Sequence, residues 1–96
     1  MIYYIDVDET ICHYPRERKY ELAVPIKRNI ALVNKLYDEG HRIVYWTARG
    51  ATTGINWFYK TKGQLATWGA KHHELRMDKP HYDFLVDDKA ITMEQL

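Results

Sequence analysis

The sequence predicts an α/β fold, a small and mainly parallel sheet with helices on its faces. Three observations carry that prediction. Short apolar runs at Ile2–Ile5 (IYYI), residues 42–47 (RIVYWT) and residues 82–86 (YDFLV) have the composition of buried strands. The stretch between the first two repeats its apolar residues at helical spacing, as Ile26, Ile30, Val33 and Tyr37. Strands and helices then alternate along the chain, which implies right-handed crossovers and parallel strands whose C-terminal ends share one edge.

Taken in order, the first strand ends abruptly in Asp6, with Asp8 and Thr10 following at intervals of two. In extended chain such residues point the same way, so the two carboxylates start close together and repel unless something positive lies between them. Residues 11–25 (ICHYPRERKYELAVP) are polar and basic, with a hairpin return arm at 19–24, and read as a flap over the acidic pair. A helix is expected over 25–39, with Pro25 suited to its first turn and Gly40 to its C-terminal cap. After the second strand, Thr52 or Thr53 can cap a second helix reaching Trp68, with Ile55, Phe58, Leu65 and Ala66 as its inner stripe and Gly69 as its stop. A short strand is expected around 74–77, a clearer one at 82–86 ending in Asp87 and Asp88, and a last helical turn within 89–96.

Bulk composition narrows the function. Ninety-six residues make a single domain, 1–96, and a net charge of +1 gives no general pull toward nucleic acid or an anionic membrane surface. The lone Cys12 excludes an internal disulfide framework. No apolar stretch approaches the ~20 residues of a membrane span, and no secretory signal opens the chain, so a cytoplasmic location is expected. His72 and His73 lack the partners of a zinc site. A calcium-loop reading of residues 6–17 fails because Ile11 stands where that loop needs Gly.

The shared strand edge is expected to gather Asp6, Asp8, Thr47, Arg49, Asp87 and Asp88, the place where open α/β sheets bind ligands. Carboxylates crowded there suit a hard divalent cation such as Mg²⁺, which keeps waters and takes up phosphate. An Asp beside a bound phosphate can attack phosphorus, and a neighbouring carboxyl can move the proton. A Lys balances the charge on the transferring group; Lys79, just upstream of the last strand, is the best placed, with Lys71 its competitor.

This pattern resembles the haloacid dehalogenase superfamily, in particular its aspartate-nucleophile phosphatases. An apolar strand ending DxDx(T/V) is matched by Asp6, Asp8 and Thr10, and a strand ending in Thr or Ser by Thr47. A Lys ahead of the final motif is matched by Lys79, and a strand ending in an acidic pair by Asp87 and Asp88. The resemblance implies a Rossmann-like three-layer sandwich without a cap domain. It also implies Asp6 as nucleophile and Asp8 as general acid/base. Thr47 and Lys79 would hold the phosphoryl group, and Mg²⁺ would sit on Asp6, the Asp8 carbonyl and Asp87 or Asp88. Thr10 is a further substrate-binding candidate, and Arg49 either binds substrate or phosphate or caps the loop after Thr47. Glu9 departs from the small residue usual at its position. The chain looks similar to small capless phosphatase-like proteins of bacterial surface polysaccharide biosynthesis.

The expected activity is therefore hydrolysis of a small phosphorylated metabolite, for instance a sugar phosphate. Specificity would come from residues 11–25, from the loop after Thr47, or from a neighbouring copy in a homo-oligomer. Rival readings are a phospho-accepting receiver-like signalling domain and a non-catalytic Mg²⁺- or phosphate-binding subunit. Receivers carry the acidic pair after the first strand and the phospho-accepting Asp after the third, an order this chain does not follow.

Overall fold

The computed structural model describes residues 1–96. Three strands, β1 (Ile2–Ile5), β4 (Arg42–Trp46) and β5 (Glu74–Arg76), form a parallel sheet in the order β1-β4-β5. Register pairs Tyr3 with Ile43 and Tyr45 with Leu75. Two further short strands, β2 (Cys12–His13) and β3 (Val24–Pro25), pair antiparallel, so the flap is a hairpin as expected; a turn of 3₁₀ helix at Tyr20–Leu22 lies within it. Asn29 anchors it by donating its side-chain N–H to the Thr10 carbonyl at 2.8 Å.

Helix α1 (Lys27–Asp38) buries Ile30 and Val33, and α2 (Phe58–Thr67) buries Thr61 and Leu65. Ile30, Val33 and Leu65 share one cluster with Ile5, Ile43 and Tyr45. The β4 members of that cluster are alternate residues and therefore one face of the sheet. Each such fully buried aliphatic side chain contributes about 1.5–3 kcal/mol. Both helices thus cover the same face, and no α-helix packs on the opposite face, where Val44 is nonetheless buried.

Both helices stop in the same way. Gly40 (φ +95°) and Gly69 (φ +69°) take the left-handed conformation that glycine adopts without a Cβ clash. His41 N–H donates to the Leu36 carbonyl and Gly40 N–H to Tyr37, while Ala70 and Gly69 repeat the pattern on Leu65 and Ala66. These are Schellman closures, and they satisfy carbonyls that the helix end would orphan. Asn34 then ties α1 to the end of α2, donating to the Gly69 carbonyl and accepting from Lys71 N–H, each at 2.8 Å.

Two elements depart from expectation. Helix α2 starts at Phe58 rather than near Thr53, with no side-chain cap bond, and Ile55 and Ala66 of the expected stripe are exposed. Gly50 and Gly54 hold left-handed φ and keep the intervening chain in turns. More consequentially, residues 82–86 form no strand. Phe84 and Val86 are 89% and 96% exposed, and β1 keeps its outer edge unpaired. The final turn is a 3₁₀ helix at Met93–Gln95.

Candidate active site

The C-terminal ends of β1 and β4 open onto a cavity of about 340 Å³ lined by Asp6, Asp8, Arg18, Tyr20, Thr47, Arg49, Lys79 and His81, among others. Parallel pairing of β1 with β4 places Asp6 and Thr47, each just beyond its strand, at the same edge. The flap supplies Arg18 and Tyr20 as one wall. Between Asp6 and the flap the chain turns tightly: Thr10 and Ile11 N–H groups both donate to the Val7 carbonyl, and Glu9 N–H donates to Cys12. That turn forces Glu9 to φ +63°, left-handed backbone that an L side chain adopts at a cost of about 1–2 kcal/mol. Non-glycine residues held this way concentrate at functional sites.

Asp6 is flanked by Lys79, whose ammonium lies 3.2 Å from Oδ1, and by Thr10, whose hydroxyl donates to Oδ2 at 3.4 Å. Lys79 Nζ also sits 5.5 Å over the Trp46 ring and 5.6 Å over Tyr82. Its backbone N–H bonds the Thr47 carbonyl, which fixes the lysine beside the β4 tip. Lys71, the competitor, pairs instead with Asp38 on α1. Of the two lysines, it is Lys79 that stands at the Asp6 edge. Thr47 is buried and its hydroxyl oxygen accepts the Arg49 N–H at 3.1 Å, so the loop after β4 is closed on its own strand end.

Asp8 meets a different partner. The Arg49 guanidinium forks onto it, with Nη2 2.8 Å from Oδ1 and Nε 3.1 Å from Oδ2. The Tyr14 hydroxyl donates to the same Oδ1 in a short bond, and Cys12 Sγ lies 3.5 Å away. The Arg49 side chain is 0% exposed and that of Asp8 13%. Burial alone would raise the Asp8 pKa. The Arg49 and Tyr14 hydrogen bonds and the Arg49 charge outweigh it, and the carboxyl ionises below its ordinary range. Burial, with Asp8 beside it, pushes the Cys12 thiol up to about 12, which makes it a protonated filler and no nucleophile.

The expected acidic edge therefore assembles only in part. Asp6, Asp8, Thr47, Arg49 and Lys79 converge, with Thr10 behind Asp6. Asp87 and Asp88 do not line this cavity: both are exposed, and Asp87 accepts the N–H of Lys89, two residues on, at 2.9 Å, although Asp87 lines a second, adjoining cavity with Asp6 and Lys79. No three His, Cys, Asp or Glu side chains come together anywhere in a way that holds a metal. Asp6 and Asp8 are each already engaged by a cation. As arranged, no third carboxylate stands with them, so a magnesium ion held here would rest on one or two carboxylates, waters and phosphate.

Arg49 is where the sequence reading fell short. It lines the cavity, yet its guanidinium is a buried clamp whose partners include Tyr14, Thr61 and Gln64. Nη1 donates to Thr61 at 3.0 Å and to Gln64 at 2.6 Å. The sequence signal was present, as two polar residues on the buried side of α2 three apart.

Comparison with known proteins speaks to the fold alone. No family model matches the chain, and no curated protein does. It is similar to a solved structural-genomics target from Vibrio cholerae, with TM-score 0.83 and 21% identity over 98% of this chain and 85% of that one. The class this defines is an α/β protein with a small parallel sheet. No helix in it is long and apolar enough to cross a membrane.

Proposed function

We propose that the protein is a phosphomonoesterase acting on a small phosphorylated metabolite, such as a sugar phosphate, through a phospho-Asp6 intermediate. The observation that carries this reading is the pairing of Asp6 with Lys79 at the tip of β1, inside a polar cavity that also holds Thr47 and the Asp8–Arg49 pair. A carboxylate in contact with a lysine is an ionised nucleophile beside a group that attracts the phosphoryl oxygens. When phosphate enters, Lys79 transfers its charge from Asp6 to the equatorial oxygens as they become more negative. An Asp6 oxygen bonds phosphorus, the bond to the leaving oxygen breaks, and that oxygen departs with the electron pair and takes a proton from solvent water. Water then attacks the acyl phosphate, phosphate leaves, and Asp8 accepts the proton of the water.

Arg18 and His81 at the cavity wall add cationic and hydrogen-bonding groups suited to the polar remainder of such a substrate. The resemblance also implies a magnesium ion, on Asp6 with a carboxylate of Asp87 or Asp88. Loss of turnover on chelation and its return on adding magnesium test that implication. The reading is tested with a generic aryl phosphate, assayed with magnesium present. Wild type releases phosphate, and Asp6→Asn, folded by circular dichroism, loses at least about 10³-fold in turnover. Equal turnover by the two proteins removes Asp6 as the nucleophile. A phosphoprotein that persists for hours without turnover favours the receiver-like reading.

A further inference from the structure

We infer that Arg49 and Tyr14 are positioning residues that aim the Asp8 carboxylate, saturating Oδ1 and leaving Oδ2 as the oxygen that takes the proton of the hydrolytic water. The inference rests on the phosphomonoesterase reading and deepens it. Its ground is the unequal treatment of the two oxygens. Oδ1 accepts from Arg49 Nη2 at 2.8 Å, from the Tyr14 hydroxyl, and more distantly from Arg49 Nε and Cys12 Sγ. Oδ2 accepts from Arg49 Nε alone, at 3.1 Å. A carboxylate oxygen offers two lone pairs, so Oδ1 is filled and Oδ2 keeps room for one more donor.

Arg49 itself has nothing left for substrate. Nε and Nη2 go to Asp8, Nη2 reaches the Tyr14 oxygen at 3.3 Å, and Nη1 goes to Thr61 and Gln64. The five N–H groups of a guanidinium are thus all engaged. The plane is held further by the Tyr20 ring 4.8 Å away, and Gln64 in turn donates to the Tyr20 carbonyl at 2.6 Å. Flap, β4 loop and α2 are thereby locked onto one side of Asp8. A carboxylate so held cannot rotate, and a group held in its working direction avoids the entropic cost of finding it.

In the second chemical step the water oxygen bonds phosphorus, the Asp6–phosphate bond breaks with its electron pair to Asp6, and the water proton goes to Oδ2. Mis-aiming Asp8 slows this step while leaving the attack by Asp6 intact. The test uses the full chain, an aryl phosphate, and the variants Tyr14→Phe and Arg49→Lys, with circular dichroism confirming the fold. Tyr14→Phe removes only a hydroxyl and carries the test even where Arg49→Lys does not fold. The expected result is a kcat lower by about 10- to 100-fold, part of the ~10²–10⁴ that a positioned base supplies. KM falls in parallel, kcat/KM is unchanged, and acid-stable phosphoenzyme accumulates in rapid-quench samples. A fall in kcat/KM equal to that in kcat, without phosphoenzyme, shows mere structural support and overturns the inference. Wild-type kinetics in Tyr14→Phe overturn it too, leaving the phosphatase reading in place. Absence of hydrolysis by wild type removes that reading, and the step Arg49 serves goes with it.

Discussion

Replacing Arg49 by Met is the perturbation that bears hardest on this fold. The substitution keeps the apolar stem and deletes a guanidinium that has no exposed surface. Asp8, 13% exposed, is left with Tyr14 and Cys12, and the buried Thr61 hydroxyl loses its partner. Breaking a buried ion pair by removing one member costs about 3–5 kcal/mol, because the remaining charge stays desolvated. The same change in an exposed pair costs about 0–1 kcal/mol. At ~0.05–0.15 kcal/mol per residue, a domain of this length has a total stability of about 5–14 kcal/mol. Arg49→Met therefore removes about a fifth of it at the least. At ~4–8 °C per kcal/mol, thermal denaturation should show Tm lower by about 12 °C or more. Adding Asp8→Asn removes the stranded charge, so the double variant should be more stable than the sum of the two single losses predicts. A loss below about 1 kcal/mol for Arg49→Met, or strict additivity in the double variant, refutes a tightly coupled buried pair.

Three further outcomes follow from the same contacts. The Tyr45 hydroxyl is buried with no hydrogen-bond partner, and a stranded group of that kind costs about 1–3 kcal/mol; Tyr45→Phe should raise Tm, and a fall contradicts the assignment. Cys12 is fully buried with its thiol pushed up to about 12, so native protein should resist thiol reagents and label only as urea unfolds it; rapid labelling of the native state contradicts this. A Cβ on Gly50 would lie 2.2 Å from the Ile55 carbonyl oxygen at φ +82°; Gly50→Ala should cost at least about 1 kcal/mol and an unchanged Tm would exclude that clash.

Much of this architecture was legible in the residues. Helix α1, β1 and β4 announced themselves by period and composition, because each has a buried face whose spacing is set by its own geometry. Asp6, Asp8 and Thr47 were legible for the same reason, since a polar residue that ends an apolar strand must lie at the sheet edge. Residues 82–86 misled because an apolar run says that a strand is affordable, not that a neighbouring edge accepts it. With Phe84 and Val86 in solvent, no strand holds the acidic pair behind them at the tip beside Asp6. Arg49 misled for another reason: its partners arrive from the flap and from α2, 12 and 15 residues on. The spacing of Thr61 and Gln64 marks a polar pair on the buried side of α2, but it does not say which residue of another element they meet.

The most direct measurement is chemical trapping of the intermediate. Protein mixed with a phosphate ester is quenched, reduced with borohydride, and mapped by mass spectrometry, since an aspartyl phosphate is reduced to homoserine and a free carboxylate is not. The account predicts homoserine at position 6 and an unmodified Asp8. Turnover with position 6 intact, or reduction found at another acidic residue, contradicts it.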